Sequence, residues 1–187
     1  YLCLRRGDRI VQSIPRLLMI VFDIETNGLL KTVSKVHCLV TYDTETDKLN
    51  TYNNQGTCPS IVEGLLTLSN AEHLIGHNII GYDLPAIRKI YPHFKLSGKP
   101  FDTLILSRLF HPNLFAIDEN RKNMEPKLKG RHSLAAWGYR LGEYKGEFGE
   151  TTDWAEWSQE MEDYCQQDVK VTMKLCEHFR TYLTGAG

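Results

Sequence analysis

Three groups of residues carry side chains able to hold a hard cation or to move a proton. Asp23-Ile24-Glu25 closes the apolar run 19–24, MIVFDI. In a strand, residues i and i+2 share a face, so Asp23 and Glu25 project together and Ile24 points the other way. Two carboxylates held side by side repel unless a cation lies between them. Taken alone, such a pair more often simply reaches solvent at a strand end. Asp83 ends the segment NIIGYD and opens a helix, where an acid also complements the helix dipole. Tyr164 and Asp168 are spaced i, i+4 in a late helical segment, which places phenol and carboxylate on one face. An ordinary amphipathic helix would show the same spacing. Each group is ambiguous by itself. Their order, on a strand end, a helix start and a late helix, brings together oxygen donors suited to Mg²⁺ or Mn²⁺.

The elements that must position these groups are legible from periodicity. Residues 36–42 and 49–52 read as two further strands joined by a polar turn, and 72–76 as a fourth. A helix is expected from Pro59 to about Asn70, a second over 82–91 with Pro85 in its first turn, and a third from an Asp102 cap to Phe110. Residues 111–131 read as a long polar, basic connection. Ser133 opens a helix closed by Gly142, and the last helix runs over 158–183 with Met161, Cys165, Asp168, Thr172, Leu175 and Phe179 at spacings of three and four. Asp163 is expected to face solvent. The pattern is that of an α/β domain with a mixed sheet.

Composition bounds the rest. The 187 residues, 42% hydrophobic and 24% charged, suit one core-bearing domain over 19–187. A net charge of -1 does not announce a nucleic-acid binder, but clustered carboxylates offset any basic surface in the total. Five dispersed cysteines without a CxxC pair argue against a zinc site and for reduced thiols of a cytoplasmic-type compartment. His73 and His77 lack the glutamate of an HExxH motif and read as structural or loop residues. No run of about eighteen apolar residues offers a membrane span. Residues 1–18 carry four arginines against one acid and read as an N-terminal extension: a basic arm, an expression-derived leader or an organelle-targeting remnant.

The three acidic groups together resemble the proofreading 3′→5′ exonuclease family with four acidic residues and a tyrosine. In that family the motifs are DxE, an Asn-preceded Tyr-Asp, and Tyr-x-x-x-Asp. The branch with a histidine in the third motif would need His at position 163, which is Asp163. The stretches MIVFDIETNGLL, HNIIGYDLPAI, DTLILSRL, HSLAAWGYRLGEYKGEF and YCQQDVKVT are further similar to the exonuclease domains of family A DNA polymerases of short-tailed phages.

The resemblance implies a ribonuclease H-like fold, with a mixed central sheet flanked by helices. It implies hydrolysis with two Mg²⁺ or Mn²⁺ ions held by Asp23, Glu25, Asp83 and Asp168, and a water oriented by Tyr164 and Glu25. The substrate would be a single-stranded or frayed DNA 3′ end, with a polymerase domain as partner in the full-length protein. Thr26 would meet the terminal 3′-hydroxyl, Leu29 would wedge against the last bases and Asn78 would line the strand path. A basic groove for the strand is sought in Lys127, Lys129 and Arg131, with His132 nearby. RNA 3′ ends are the alternative substrate, since the carboxylates do not read the 2′-hydroxyl. An inactive nucleic-acid-binding module would be expected to have lost a carboxylate, and all four are present.

Overall fold

The computed structural model describes residues 19–143 and 153–184, without the side chains at 181, 183 and 184. Residues 1–18, and the reading of them as an extension, lie outside the described residues. A five-stranded mixed sheet in the order β3-β2-β1-β4-β5 forms the centre. Its strands are β1 (Met19–Thr26), β2 (Val36–Asp43), β3 (Lys48–Asn53), β4 (His73–Gly76) and β5 (Lys99–Asp102). β1 pairs antiparallel with β2 and parallel with β4, and β4 pairs parallel with β5.

The helices are α1 (Ile61–Asn70), α2 (Asp83–Ile90), α3 (Thr103–Phe110), α4 (Leu114–Asp118), α5 (Leu134–Leu141) and α6 (Gln159–Thr184). Strand alternation divides the core. Ile20, Phe22 and Ile24 pack with Leu39, Ile61, Leu65, Leu84 and Ile87 on the side of α1 and α2. Val21 packs on the opposite side with Val40, Ile75, Cys165 and Val169, beneath α6. Because the side-chain period of a strand is two, Asp23 and Glu25 continue the Val21 face toward α6.

Two expectations are corrected. Lys99–Asp102 was not expected as a strand, and it forms one. With a proline and only four residues, KPFD has little strand signal of its own; pairing with β4 supplies the ladder. The connection 111–131 is not structureless. It contains α4, capped by Asn113, and a 3₁₀ turn over Pro126–Leu128. The first helix begins two residues later than expected, at Ile61, with Ser60 as N-cap in a reciprocal capping box with Glu63. Gly142 does close α5, in the left-handed region at φ 69°.

Gly64 lies inside α1 where the helix meets the sheet. A Cβ there would stand 2.5 Å from Leu39 Cδ2 and 2.7 Å from Tyr52 Cγ. Alanine would gain about 1 kcal/mol of helix propensity, while overpacking costs about 1–3 kcal/mol. Gly64→Ala is therefore expected to destabilise by about 1 kcal/mol net, read as a lower urea midpoint at unchanged slope. A raised midpoint would show that Tyr52 and Leu39 move aside freely.

Candidate active site

β1 extends beyond its short parallel partner. Pairing with β4 ends at Val21, whereas pairing with β2 continues through Thr26 with an irregularity between Glu25 and Thr26. The β4-facing edge of the strand is therefore open at its carboxyl end, and α2 fills it. The backbone N–H of Ile24 donates to the carboxylate of Asp83, so the residue between the two acids of β1 holds the third acid beside them. Asp23 is half-buried, while Glu25, Asp83 and Asp168 are buried.

α6 crosses the same face of the sheet and completes the group. The Cys165 thiol donates to Asp23 Oδ2 at 3.5 Å, between residues 142 apart in sequence. Ligand atoms of Asp23, Glu25 and Cys165 lie within 4.8 Å of one another. Asp168, on the adjacent turn, lines the same cleft as Asp23. Tyr164 is half-buried on this helix, and Asp163 is exposed as expected. The four carboxylates expected from the sequence thus converge from β1, α2 and α6.

Their electrostatics follow from burial. Asp83 is pushed up to about 7, chiefly by removal from water, with the charges of Asp102 and Asp168 adding to the rise. Burial and the neighbouring Cys38 thiol hold Cys165 protonated well above the usual thiol range. A hard oxygen-rich donor set with a neutral thiol at its edge suits Mg²⁺ or Mn²⁺ better than a soft ion. Cys38 and Cys165 are buried and unbridged; Cys58 and Cys176, also unbridged, are half-buried.

Two residues missed by sequence reasoning hold the approach to these acids. The Tyr82 hydroxyl bonds both Thr26 Oγ1 and the Gly28 carbonyl, and Thr26 Oγ1 also donates to that carbonyl at 3.1 Å. Thr26 is accordingly 6% exposed, with its hydroxyl engaged inside the fold. Asp102 was expected only as a helix cap. It caps α3 through Leu104 N at 2.9 Å and also accepts from Asn78 N at 2.8 Å and Ile80 N at 3.0 Å. The second role fixes the turn before α2, in which Asn78 adopts a left-handed φ of 66°. Leu29 projects into solvent, 79% exposed.

A cleft of about 600 Å³ opens beside the acids. Asp23 and Asp168 line it together with His77, Asn78, Arg108, Arg131 and His132. Of the three expected basic residues, Arg131 lines this cleft. Lys127 pairs with Glu125 at 3.2 Å, and Lys129 donates to the Glu119 carbonyl at 2.8 Å. His77 bonds Thr103 Oγ1 at 2.9 Å, so it is a cleft-lining residue as well as a structural one. His73 stacks on Phe101.

The elevated Asp83 has a measurable sign in the metal-free protein. Its folded pKa lies above the unfolded value, so the folded state holds more protons between them. The contribution of Asp83 to stability is therefore expected to be full below about pH 4 and to be lost as pH rises to about 7, by up to ~1.4 kcal/mol per pH unit, and it is read as the difference between wild type and Asp83→Asn. Urea midpoints measured in chelator across this window should show the decline, and Asp83→Asn should flatten it. An unchanged slope in the variant would remove Asp83 as the cause.

Comparison with known proteins agrees with this geometry. The family model of the RNase H superfamily matches residues 20–180. The chain is 40% identical over 188 aligned residues to the DNA-directed DNA polymerase of Escherichia phage T7, covering 85% of this chain and 26% of that one. It therefore spans about a quarter of that relative's length. In fold it is similar to Brucella melitensis NrnC with bound Mg²⁺, at TM-score 0.57 and 19% identity over 91% of this chain and 76% of that one. It is also similar to the family B DNA polymerase of the archaeon Pyrobaculum calidifontis, at TM-score 0.60 and 15% identity over 90% of this chain and 25% of that one. By the match over nearly its whole described length, the chain belongs to the RNase H superfamily.

Proposed function

We propose that the protein is a metal-dependent 3′→5′ exonuclease acting on DNA 3′ ends, the proofreading part of a phage-type DNA polymerase. The observation that carries this reading is the meeting of Asp23, Glu25, Asp83 and Asp168, two of which, Asp23 and Asp168, line a cleft that Arg108 and Arg131 also line. The 40% identity to a phage DNA polymerase favours DNA over RNA and makes a polymerase domain the natural partner.

The donor chemistry fits two divalent cations. Asp23 would be shared between them, Glu25 and Asp168 would complete one, and Asp83 would serve the other. When bound, such a pair activates a water and stabilises the charge that builds on the scissile phosphate. The protein's own contribution is positional. β1 presents Asp23 and Glu25 from a hydrogen-bonded strand, a rigid support that keeps ligands in place without substrate. Tyr164 and Glu25 would orient the attacking water.

On the substrate side, exposed Leu29 would wedge against the terminal bases, and Asn78 and Arg131 would follow the strand. Thr26 would help place the terminal nucleotide. Since its hydroxyl is engaged by Tyr82 and Gly28, this role falls to the backbone of Thr26 and to the shape that Tyr82 imposes. Lys127 and Lys129, engaged by the Glu125 carboxylate and the Glu119 carbonyl and outside the cleft lining, would act through longer-range attraction.

Asp23→Ala combined with Glu25→Ala is expected to abolish Mg²⁺-dependent degradation of a 5′-labelled oligonucleotide while circular dichroism stays unchanged; full activity would refute the assignment. Tyr164→Phe is expected to lower kcat by about 10²-fold with metal affinity unchanged, the loss typical of a mispositioned proton-transfer step. DNA and RNA strands of one sequence, compared under the same conditions, should yield a 3′→5′ ladder with DNA preferred. Endonucleolytic fragments would overturn the exonuclease reading, and preferential RNA cleavage would overturn the substrate.

A further inference from the structure

Among the residues that line the cleft with the acids, His132 ends a hydrogen-bonded chain that begins in the core. Trp137 Nε1 donates to Ser107 Oγ at 2.8 Å, and Ser107 Oγ lies 2.7 Å from His132 Nδ1. Trp137 and Ser107 are buried, at 3% and 0% exposure, while His132 is half-buried and lines the cleft. An indole nitrogen only donates, so Ser107 Oγ accepts from it. The hydroxyl proton of Ser107 then needs an acceptor inside the protein, because a buried donor left unmade is costly. Nδ1 of His132 is within reach and suited to accept it. That arrangement makes Nδ1 the bare nitrogen and Nε2 the one carrying the proton.

The backbone supporting His132 is equally fixed. Asp118 and Arg140 form a buried ion pair, side chains 0% and 3% exposed. Asp118 also accepts from Gly130 N at 2.9 Å, and Arg140 donates to the Arg131 carbonyl at 2.8 Å. These bonds clamp the residues on which His132 sits. Ser133, beside it, caps α5, so the positive end of that helix also borders the cleft. Burial, with the charges of Arg108 and Arg140, lowers His132 below the usual histidine range and favours the neutral ring.

We infer that His132 is a substrate-contacting residue whose Nε2–H, aimed by the Trp137–Ser107 chain, donates an uncharged hydrogen bond to a phosphate oxygen of the bound strand. The inference rests on the nuclease reading for its substrate. It assigns different work to neighbours in one cleft: Arg131 attracts the strand as a cation, and His132 sets its register as a neutral donor. The two roles separate by salt dependence. Removing a phosphate-neutralising cation lowers the slope of log Kd against log salt by about 0.7 on a single strand. Removing a neutral donor leaves that slope in place.

The test is binding of a fluorescein-labelled oligothymidylate by anisotropy at pH 8 with Ca²⁺ over a salt series, with hydrolysis in Mg²⁺ measured separately. His132→Ala is expected to raise Kd by about three- to tenfold at every salt concentration with the wild-type slope. Arg131→Ala should lower the slope. His132→Gln, which can return an amide N–H near the Nε2 position, should recover most of the affinity. Ser107→Ala should weaken binding in the wild type and not in His132→Ala. An unchanged Kd in His132→Ala, a slope lowered as in Arg131→Ala, or a glutamine variant as weak as alanine would each overturn the inference. Wild-type binding without 3′→5′ hydrolysis would refute the nuclease reading and leave the contact measurable.

Discussion

Like charges gathered out of water are the constraint around which this molecule is arranged. Four carboxylates meet near the carboxyl end of one strand, and three of them are buried. Desolvation and mutual repulsion both oppose ionisation, and the response is visible in Asp83, pushed up to about 7. A protein optimised for stability alone would not assemble such a group, since gathering like charges out of water opposes folding. The cost is met by the surrounding architecture: Ile24 N–H supports Asp83, the Cys165 thiol supports Asp23, and α6 packs over the sheet on Val21, Val40 and Val169. Function and stability are opposed at this point, and a cation is the natural means of reconciling them.

The segment that carries Arg131 and His132 is held by a different device. Asp118 and Arg140 pair out of solvent, where burial alone would raise the acid, yet the Arg140 guanidinium and Gly130 N–H carry it below its usual range. Such a pair contributes little as a simple stabiliser; its value lies in specifying geometry. Here it fastens α4 and α5 together and fixes the chain over 130–133, which lines the cleft with Asp23 and Asp168. A basic side chain at a fixed place can receive a strand without the entropy loss of ordering a loose loop.

One acid organises backbone rather than chemistry. Asp102 satisfies three N–H groups, two of them in the turn that carries Asn78 and leads to Asp83. It ties the end of β5, the start of α3 and the entry to α2 into a unit. Tyr82 does comparable work on the other side through Thr26 and Gly28. The clustered carboxylates therefore sit on regular elements, and the turns between those elements are held by side chains outside the cluster.

Much of this was legible from residues alone, and the reason is geometric range. The shared face of Asp23 and Glu25 follows from the pleat, the caps at Asp102 and Ser133 and the stop at Gly142 from local backbone chemistry, and the Tyr164–Asp168 pairing from the pitch of a helix. Each of these spans five residues or fewer, a distance over which dihedral angles determine position. Other features depend on which surfaces meet after folding. β5 is a strand because β4 offers it a ladder, Thr26 is engaged because Tyr82 arrives from 56 residues away, and Cys165 reaches Asp23 across 142. Whether Arg131, Lys127 or Lys129 faces the cleft depends on ion pairs and caps made elsewhere in their segment. The sequence by itself determined which chemistry this protein carries and on which local elements. Only tertiary packing raises Asp83 and forms the cleft that His132 lines, because burial and proximity arise when distant segments meet.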